Sequence, residues 1–401
     1  MTDSSRAGSA LGAAGRFIAG PIVVSVVLAL FIGAGFMLIA GVDPLSGYAA
    51  MLRGSFGSGP GFANTLVRAI PIIGIGLAIA IAFRAGVLNL GTEGQAGLGA
   101  LAGGIVAIYA PLPGPLALLC GVLIGVVVGA LWGLLAALLQ NLLGVPILLS
   151  TLLLNYPARY FSSWFIRFRL DEPTSDLVAS EQIRPEAQLG VLVPRNSGVA
   201  ASLRDSLGAQ HPITAVLTGV NWSLVVLILV IAAVMFMNRR TKYGFESGLS
   251  GLNPEFVRYG GVKPGPLVTR TMLLSGGLAG LFGTLLIVGA PNTRLIEGYF
   301  VGTNYAWTAL LVTLLAVYRP IGTAIAGLFF GAIMVGSDAM GRELGLSPQI
   351  AGVIQAVVII LLAYRVALPI RARKRRADAG PPDAPVLQPS AQPGAEKEGE
   401  R

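Results

Sequence analysis

The chain has 401 residues, 54% of them hydrophobic and only 12% charged, with 54 glycines and a formal charge of +9. A soluble chain carries about twice that charged fraction, and the basic residues lie at the ends of apolar runs, which excludes a soluble domain and argues against nucleic acid as a partner. With Cys120 the only cysteine and His211 the only histidine, no internal disulfide or Cys/His metal cage can form, and no metal site is expected.

A membrane-crossing helix needs about 20 mostly apolar residues, and ten such runs follow one another. The first, 17–41, is longer than a signal-peptide core and lacks a small-residue cleavage site, so it reads as a retained span after a tail of residues 1–16. The second, 62–83, leads into FRAGVLNLGTEGQAGLGALAGG at 83–104, which sets Arg84, Asn89, Glu93 and Gln95 among glycines at the start of the third run, 86–110. Polar groups at membrane depth need partners or water, so Asn89, Glu93 and Gln95 are the first candidates for a solute path. The competing reading of Glu93 is a helix cap or an interhelical hydrogen bond. In the fourth run, 114–139, Gly121, Gly125, Gly129 and Gly133 put a smooth stripe on one helix face, suited to close packing, and Cys120 reads as an inert small residue.

The fifth run, 145–166, carries Asn155 and Tyr156 as further path candidates. A connection at 167–219 mixes both charge signs with proline and serine, and has room for a short helix or two. After the sixth run, 220–238, the loop 239–266 is basic, with Arg239, Arg240, Lys242, Arg258 and Lys263. Asn253 is a cap and Pro254 a first helical residue, which predicts a short helix over 254–259 ending at Gly260 and Gly261. Gly251, Asn253, Pro254, Glu255, Phe256, Arg258 and Tyr259 are the candidate contacts for a partner on that face. The seventh run, 267–290, repeats the glycine pattern at Gly276, Gly277, Gly280 and Gly283. Its Leu274-Ser275-Gly276-Gly277 imitates an ATPase signature inside an apolar run, and the chain has no GxxxxGK[ST] phosphate loop. Pro320 separates the eighth and ninth runs, 304–318 and 320–338, into a hairpin or a broken helix, with Asn304 and Trp307 as path candidates. The tenth run, 350–369, precedes a proline-rich tail, 370–401, that reads as disordered.

The expected fold is therefore all-α: a polytopic membrane helix bundle of about ten transmembrane helices. The basic loop 239–266 and the basic start of the tail belong in the cytoplasm under the positive-inside rule, the near-neutral connection 167–219 belongs outside, and both termini are then cytoplasmic.

Several segments are recognisable. AFRAGVLNLGTEGQAGLGA at 82–100, YGFESGLSGLNPEFVRYGGV at 243–262, the entry segment from Met51 and LLLNYPARYF at 152–161 resemble the permease subunits of ABC importers in the simple-sugar and nucleoside group, related to branched-chain amino-acid permeases. The resemblance covers about 45–365. Val145-Pro146-Ile147-Leu148 departs from it, being more apolar than the polar or acidic sequence usual there. It implies a bacterial plasma-membrane subunit that moves a small polar solute and binds no cofactor itself, ATP and Mg being held by a partner ATPase that docks on the loop 241–264. It further implies a second permease, as a heterodimer, and an extracytoplasmic solute-binding lipoprotein. Competing readings are an ABC permease for branched-chain amino acids and an ion-gradient transporter, for which Glu93 and Asp338 are the available carboxylates. An intramembrane enzyme lacks its residues, since no HExxH or comparable motif is present.

Overall fold

The structure, a computed structural model, describes residues 21–345 apart from 40, 174 and 290–292. Both tails and the tenth apolar run lie outside the described residues. Within them the chain is helical and has no sheet, only isolated bridges from Ala179 to Ile296 and from Val191 to Asn221. In chain order the longer helices are α1 (Pro21–Ile39), α2 (Pro44–Phe56), α3 (Gly59–Arg84), α4 (Thr92–Tyr109), α5 (Gly114–Leu143) and α6 (Ile147–Phe165). The connection that follows holds α7 (Gly198–Leu207) and α8 (Pro212–Gly219). Then come α9 (Ser223–Arg240), α10 (Lys242–Leu252), α11 (Pro254–Tyr259), α12 (Pro264–Val288), α13 (Tyr299–Thr303), α14 (Tyr305–Leu315) and α15 (Pro320–Leu344).

Among the described residues five helices, α3, α5, α9, α12 and α15, are long and apolar enough to cross a membrane, six if the pair α1 and α2, bent by 114°, makes one span. Polar residues dilute α4, which holds Glu93 and Gln95, and α6, which holds Asn155 and Arg159. The amphipathic α2 falls between apolar runs, which is why counting runs passes over it. Asp43 caps it, accepting from the Ser46 N–H at 2.9 Å.

α3 is the axis of the bundle. Its 26 residues span about 39 Å at 1.5 Å per residue, and every residue from Ala69 to Phe83 is buried. A helix that is apolar all round belongs inside other helices, and α8, α9, α12, α14 and α15 pack around it. Beside it α4, α5 and α12 form a tight trio. Here the four-residue glycine repeat of α5 meets α12 and α4 backbone to backbone. A Cβ on Gly133 would come within 2.5 Å of the Met272 carbonyl, one on Gly121 within 2.7 Å of the Gly103 carbonyl, and Gly129 lies directly on Gly276 and Gly280.

The corner between α14 and α15 is wound into left-handed backbone at two ordinary residues, Val317 (φ 50°) and Tyr318 (φ 59°). Tyr318 meets Phe83 of α3 edge to face, with ring centroids 5.6 Å apart.

Candidate functional site

The site grows out of the break between α3 and α4. Gly86, at φ +77°, turns the chain sharply after Arg84, and residues 87–91 run back into the bundle without helical bonding. Asn89 donates to Ser275 Oγ at 2.9 Å, and Ser275 donates to the Ala78 carbonyl at 2.7 Å. Ala78 is six residues inside α3, about 9 Å from its end, so irregular backbone lies at membrane depth. Such backbone is tolerated only when protein or water satisfies it.

The polar side chains supply that satisfaction. Asn89 and Gln95 exchange hydrogen bonds at 3.0 and 3.2 Å, and Asn89 Oδ1 accepts from Gly91 N–H at 2.9 Å. Asn155 of α6 accepts from Gly94 N–H and donates to the Leu90 carbonyl, both at 2.9 Å. Thr151 Oγ1 accepts from Leu90 N–H at 3.3 Å. Asn89, Gln95 and Asn155 are thus buried, and each bonds to the broken segment or to a residue that does. Ser275, the residue that imitated an ATPase signature, is part of the same scaffold.

Glu93 has different company. One carboxylate oxygen accepts from Arg159 of α6 at 2.8 Å, and the other from the Trp307 indole of α14 at 3.0 Å. The Glu93 side chain is 8% exposed and that of Arg159 35%, so the pair is rooted in the core and opens on one side. A cleft of about 50 Å³ lies there, lined by Glu93, Asn155, Arg159, Ser162 and Tyr299 among others. Arg159 Nε and Ser162 Oγ are buried without a protein partner, which marks the cleft as a place for water or a polar solute. Tyr156 is exposed on the same helix as Arg159, whose guanidinium stands 6.0 Å from its ring centre. Asn304, in left-handed backbone at φ 52°, is the exposed joint between α13 and α14 and is not part of the cleft lining. Sequence reasoning passed over Arg159; the signal was there, a cation inside the apolar run 145–166 that needs an anion at the same depth.

At the Arg84 end of α3 the basic loop forms two helices. Asn253 caps α11, accepting from Phe256 N–H at 3.0 Å, and the helix spans 254–259 as its cap and proline require. Phe256 and Tyr259 project into open space, and Glu255 pairs with Arg258 at 3.4 Å. α10 packs on the end of α3 through glycines. A Cβ on Gly251 would collide with the Arg84 carbonyl and stand 3.2 Å from Gly86 N, while one on Gly248 would meet the Arg84 guanidinium at 2.7 Å. Burial holds the Tyr243 phenol above its ordinary pKa, and it donates to Thr271 Oγ1 at 3.0 Å, fixing α10 to α12.

Comparison with known proteins adds the family. The family described as branched-chain amino acid transport system / permease component matches residues 61–363. The chain is 31% identical to the glucose ABC transporter permease protein TsgB13 of Haloferax volcanii, over 91% of this chain and 93% of that protein. It is 27% identical to the nucleoside ABC transporter permease protein NupB of Lactococcus lactis, over 88% and 93% of the two chains. It is 25% identical to the guanosine ABC transporter permease protein NupP of Bacillus subtilis, over 86% and 93%.

Proposed function

Because this chain belongs to the family of permease components of branched-chain amino acid transport systems, we propose that it forms one membrane half of an ATP-driven importer whose solute carries a sugar ring, as a simple sugar or a nucleoside. The chain is a multi-pass membrane protein and a transport component, and ATPase activity belongs to separate subunits. The solute class rests on relatives named for glucose, nucleosides and guanosine that align over most of their length.

The observation that carries the mechanism is the glycine joint between α10 and the end of α3. The ATPase docks on α11, against exposed Phe256 and Tyr259. Its closure on ATP pushes α11 and α10, and Gly251 passes the push to Arg84 and Gly86 by backbone contact. Gly86 leads into residues 87–91, whose position decides where Glu93 stands relative to Arg159 and Trp307. Displacing Glu93 opens or shuts the cleft beside α6. The basic loop then faces the cytoplasm, the connection 167–219 faces outward to a solute-binding lipoprotein, both termini are cytoplasmic, and the membrane is the bacterial plasma membrane. A second, non-identical permease faces the exposed side of α6.

Proteoliposomes carrying this chain, a sister permease, the ATPase and the binding protein are expected to take up labelled glucose or guanosine only with ATP. Uptake by this chain alone under a proton or sodium gradient would overturn the assignment.

A further inference from the structure

A larger cavity, of about 390 Å³, lies apart from the Glu93 cleft toward the Gly59 end of α3, between α3, α9, α12, α13, α14 and α15. Asn64, Arg68, Tyr299, Tyr305, Asp338 and Arg342 supply its polar wall. Arg68 is nine residues into α3, about 14 Å from its start, and donates to Asp338 Oδ2 at 3.4 Å and to the Tyr305 hydroxyl at 3.2 Å. Both contacts are long, and a guanidinium has five donors and a carboxylate about four acceptor sites, so each group keeps capacity for another partner. The Arg68 side chain is 40% exposed and that of Asp338 50%, in helices that cross the membrane. Charged groups there face water or a bound polar molecule, not lipid. Pro71 borders the same space and cannot donate to the Val67 carbonyl, which adds a backbone acceptor to that wall. Val67 and Leu286, both partly exposed, add apolar lining. A cavity of this size with apolar lining and a few convergent polar groups suits a small molecule.

We propose that this cavity is a solute-holding site for a vicinal diol, the adjacent ring hydroxyls of a sugar or a ribose. Asp338 accepts hydrogen bonds from two neighbouring hydroxyls, Arg68 donates to an oxygen of the same ring, and the ring's apolar face lies toward Leu286. The inference rests on the reading that the solute is sugar-bearing. Tyr299 borders both this cavity and the Glu93 cleft, so the α13 turn is the partition a solute passes in moving from one to the other.

The test uses the assembled importer with Cys120→Ser and Asn64→Cys, Asn64 being an exposed residue on the cavity wall. Modification of the new cysteine by a membrane-impermeant maleimide is timed with guanosine or glucose present, and with dideoxyguanosine or fully methylated glucose, which lack adjacent free hydroxyls. The transported probe is expected to slow labelling and its diol-free analogue to leave it unchanged. In parallel Asp338→Asn is expected to raise the half-saturating concentration for uptake about tenfold, the loss of a charge-assisted pair of hydrogen bonds, with the maximal rate changed far less. Equal labelling with and without a solute that the unaltered importer takes up overturns the site while leaving the solute reading intact, and so does a fall in maximal rate alone, the mark of a mere helix clasp. Uptake of neither probe by the unaltered importer overturns the solute reading, and this site with it.

Discussion

Glu93 joins three helices through one carboxylate, α4 by its own backbone, α6 through Arg159 and α14 through Trp307. Removing one member of a half-buried pair strands the other, at a cost of about 1–3 kcal/mol once the exposure of Arg159 is taken into account. Glu93→Gln keeps an acceptor for Trp307 and loses the charge; Glu93→Ala loses both. Uptake by the assembled importer is expected to fall moderately in the first variant and by about tenfold or more in the second. The yield of folded chain, read by gel filtration in detergent, should change less than uptake in both. Equal uptake in all three proteins would assign Glu93 no part in transport. Asn89, Gln95 and Asn155 differ in kind. Their hydrogen bonds go to the broken backbone, to one another and, from Asn89, to Ser275, so their polarity has protein partners before any solute is invoked. From sequence, both sorts look alike, as polar residues among glycines, because spacing does not tell which of two partners an amide will choose.

At the scale of elements, glycine does two separate jobs. In the α4–α5–α12 trio it removes side chains so that helices pack by backbone contact. At Gly251 it seats α10 on the end of α3 by backbone contact, beside a long hydrogen bond from Arg84 to the Gly244 carbonyl. Gly251→Val would place a branched side chain against the Arg84 carbonyl and force α10 off α3. The expected result is a complex that still assembles and hydrolyses ATP but imports solute at a small fraction of the normal rate, measured as the ratio of uptake to hydrolysis. An unchanged ratio would remove the joint from the power stroke. The stripe at Gly121, Gly125, Gly129 and Gly133 was legible because its four-residue period is visible in the chain. The similar pattern on α12 was visible too, but that the two stripes face each other needed the structure, since no sequence pattern says which stripes meet. The helix at 254–259 was legible for a local reason, cap and proline standing together.

The whole molecule follows from apolar runs, and most of its long helices stand where those runs do. The exceptions are instructive. The run 86–110 begins as extended chain, because Gly86, Asn89 and Gly91 interrupt the helix and tertiary hydrogen bonds then stabilise the interruption. α2 and α13 escape a count of apolar runs because one is amphipathic and the other only five residues long. The cavity at Arg68 and Asp338 was illegible, its residues coming from six helices spread over most of the chain. Sidedness is open to direct measurement. In a Cys120→Ser background, a cysteine at Tyr259 is expected to react with an impermeant thiol reagent only in inside-out vesicles, and one at Ser206 only in intact cells whose outer barrier is breached. The reverse pattern would invert the orientation and place the ATPase-facing helix on the wrong side.

Val317 and Tyr318 hold a conformation that L-residues other than glycine, asparagine and aspartate seldom adopt, at about 1–2 kcal/mol each. Nothing about connecting α14 to α15 demands these side chains, and glycine would make the same turn without the penalty. Val317→Gly should therefore melt at a higher temperature than the parent, and a lower midpoint would mean that the corner is relaxed after all. If the tension is kept because Tyr318 bears on the foot of α3, that hardier variant will also carry less traffic. Breeding this protein for heat and breeding it for throughput would then pull the same two codons in opposite directions.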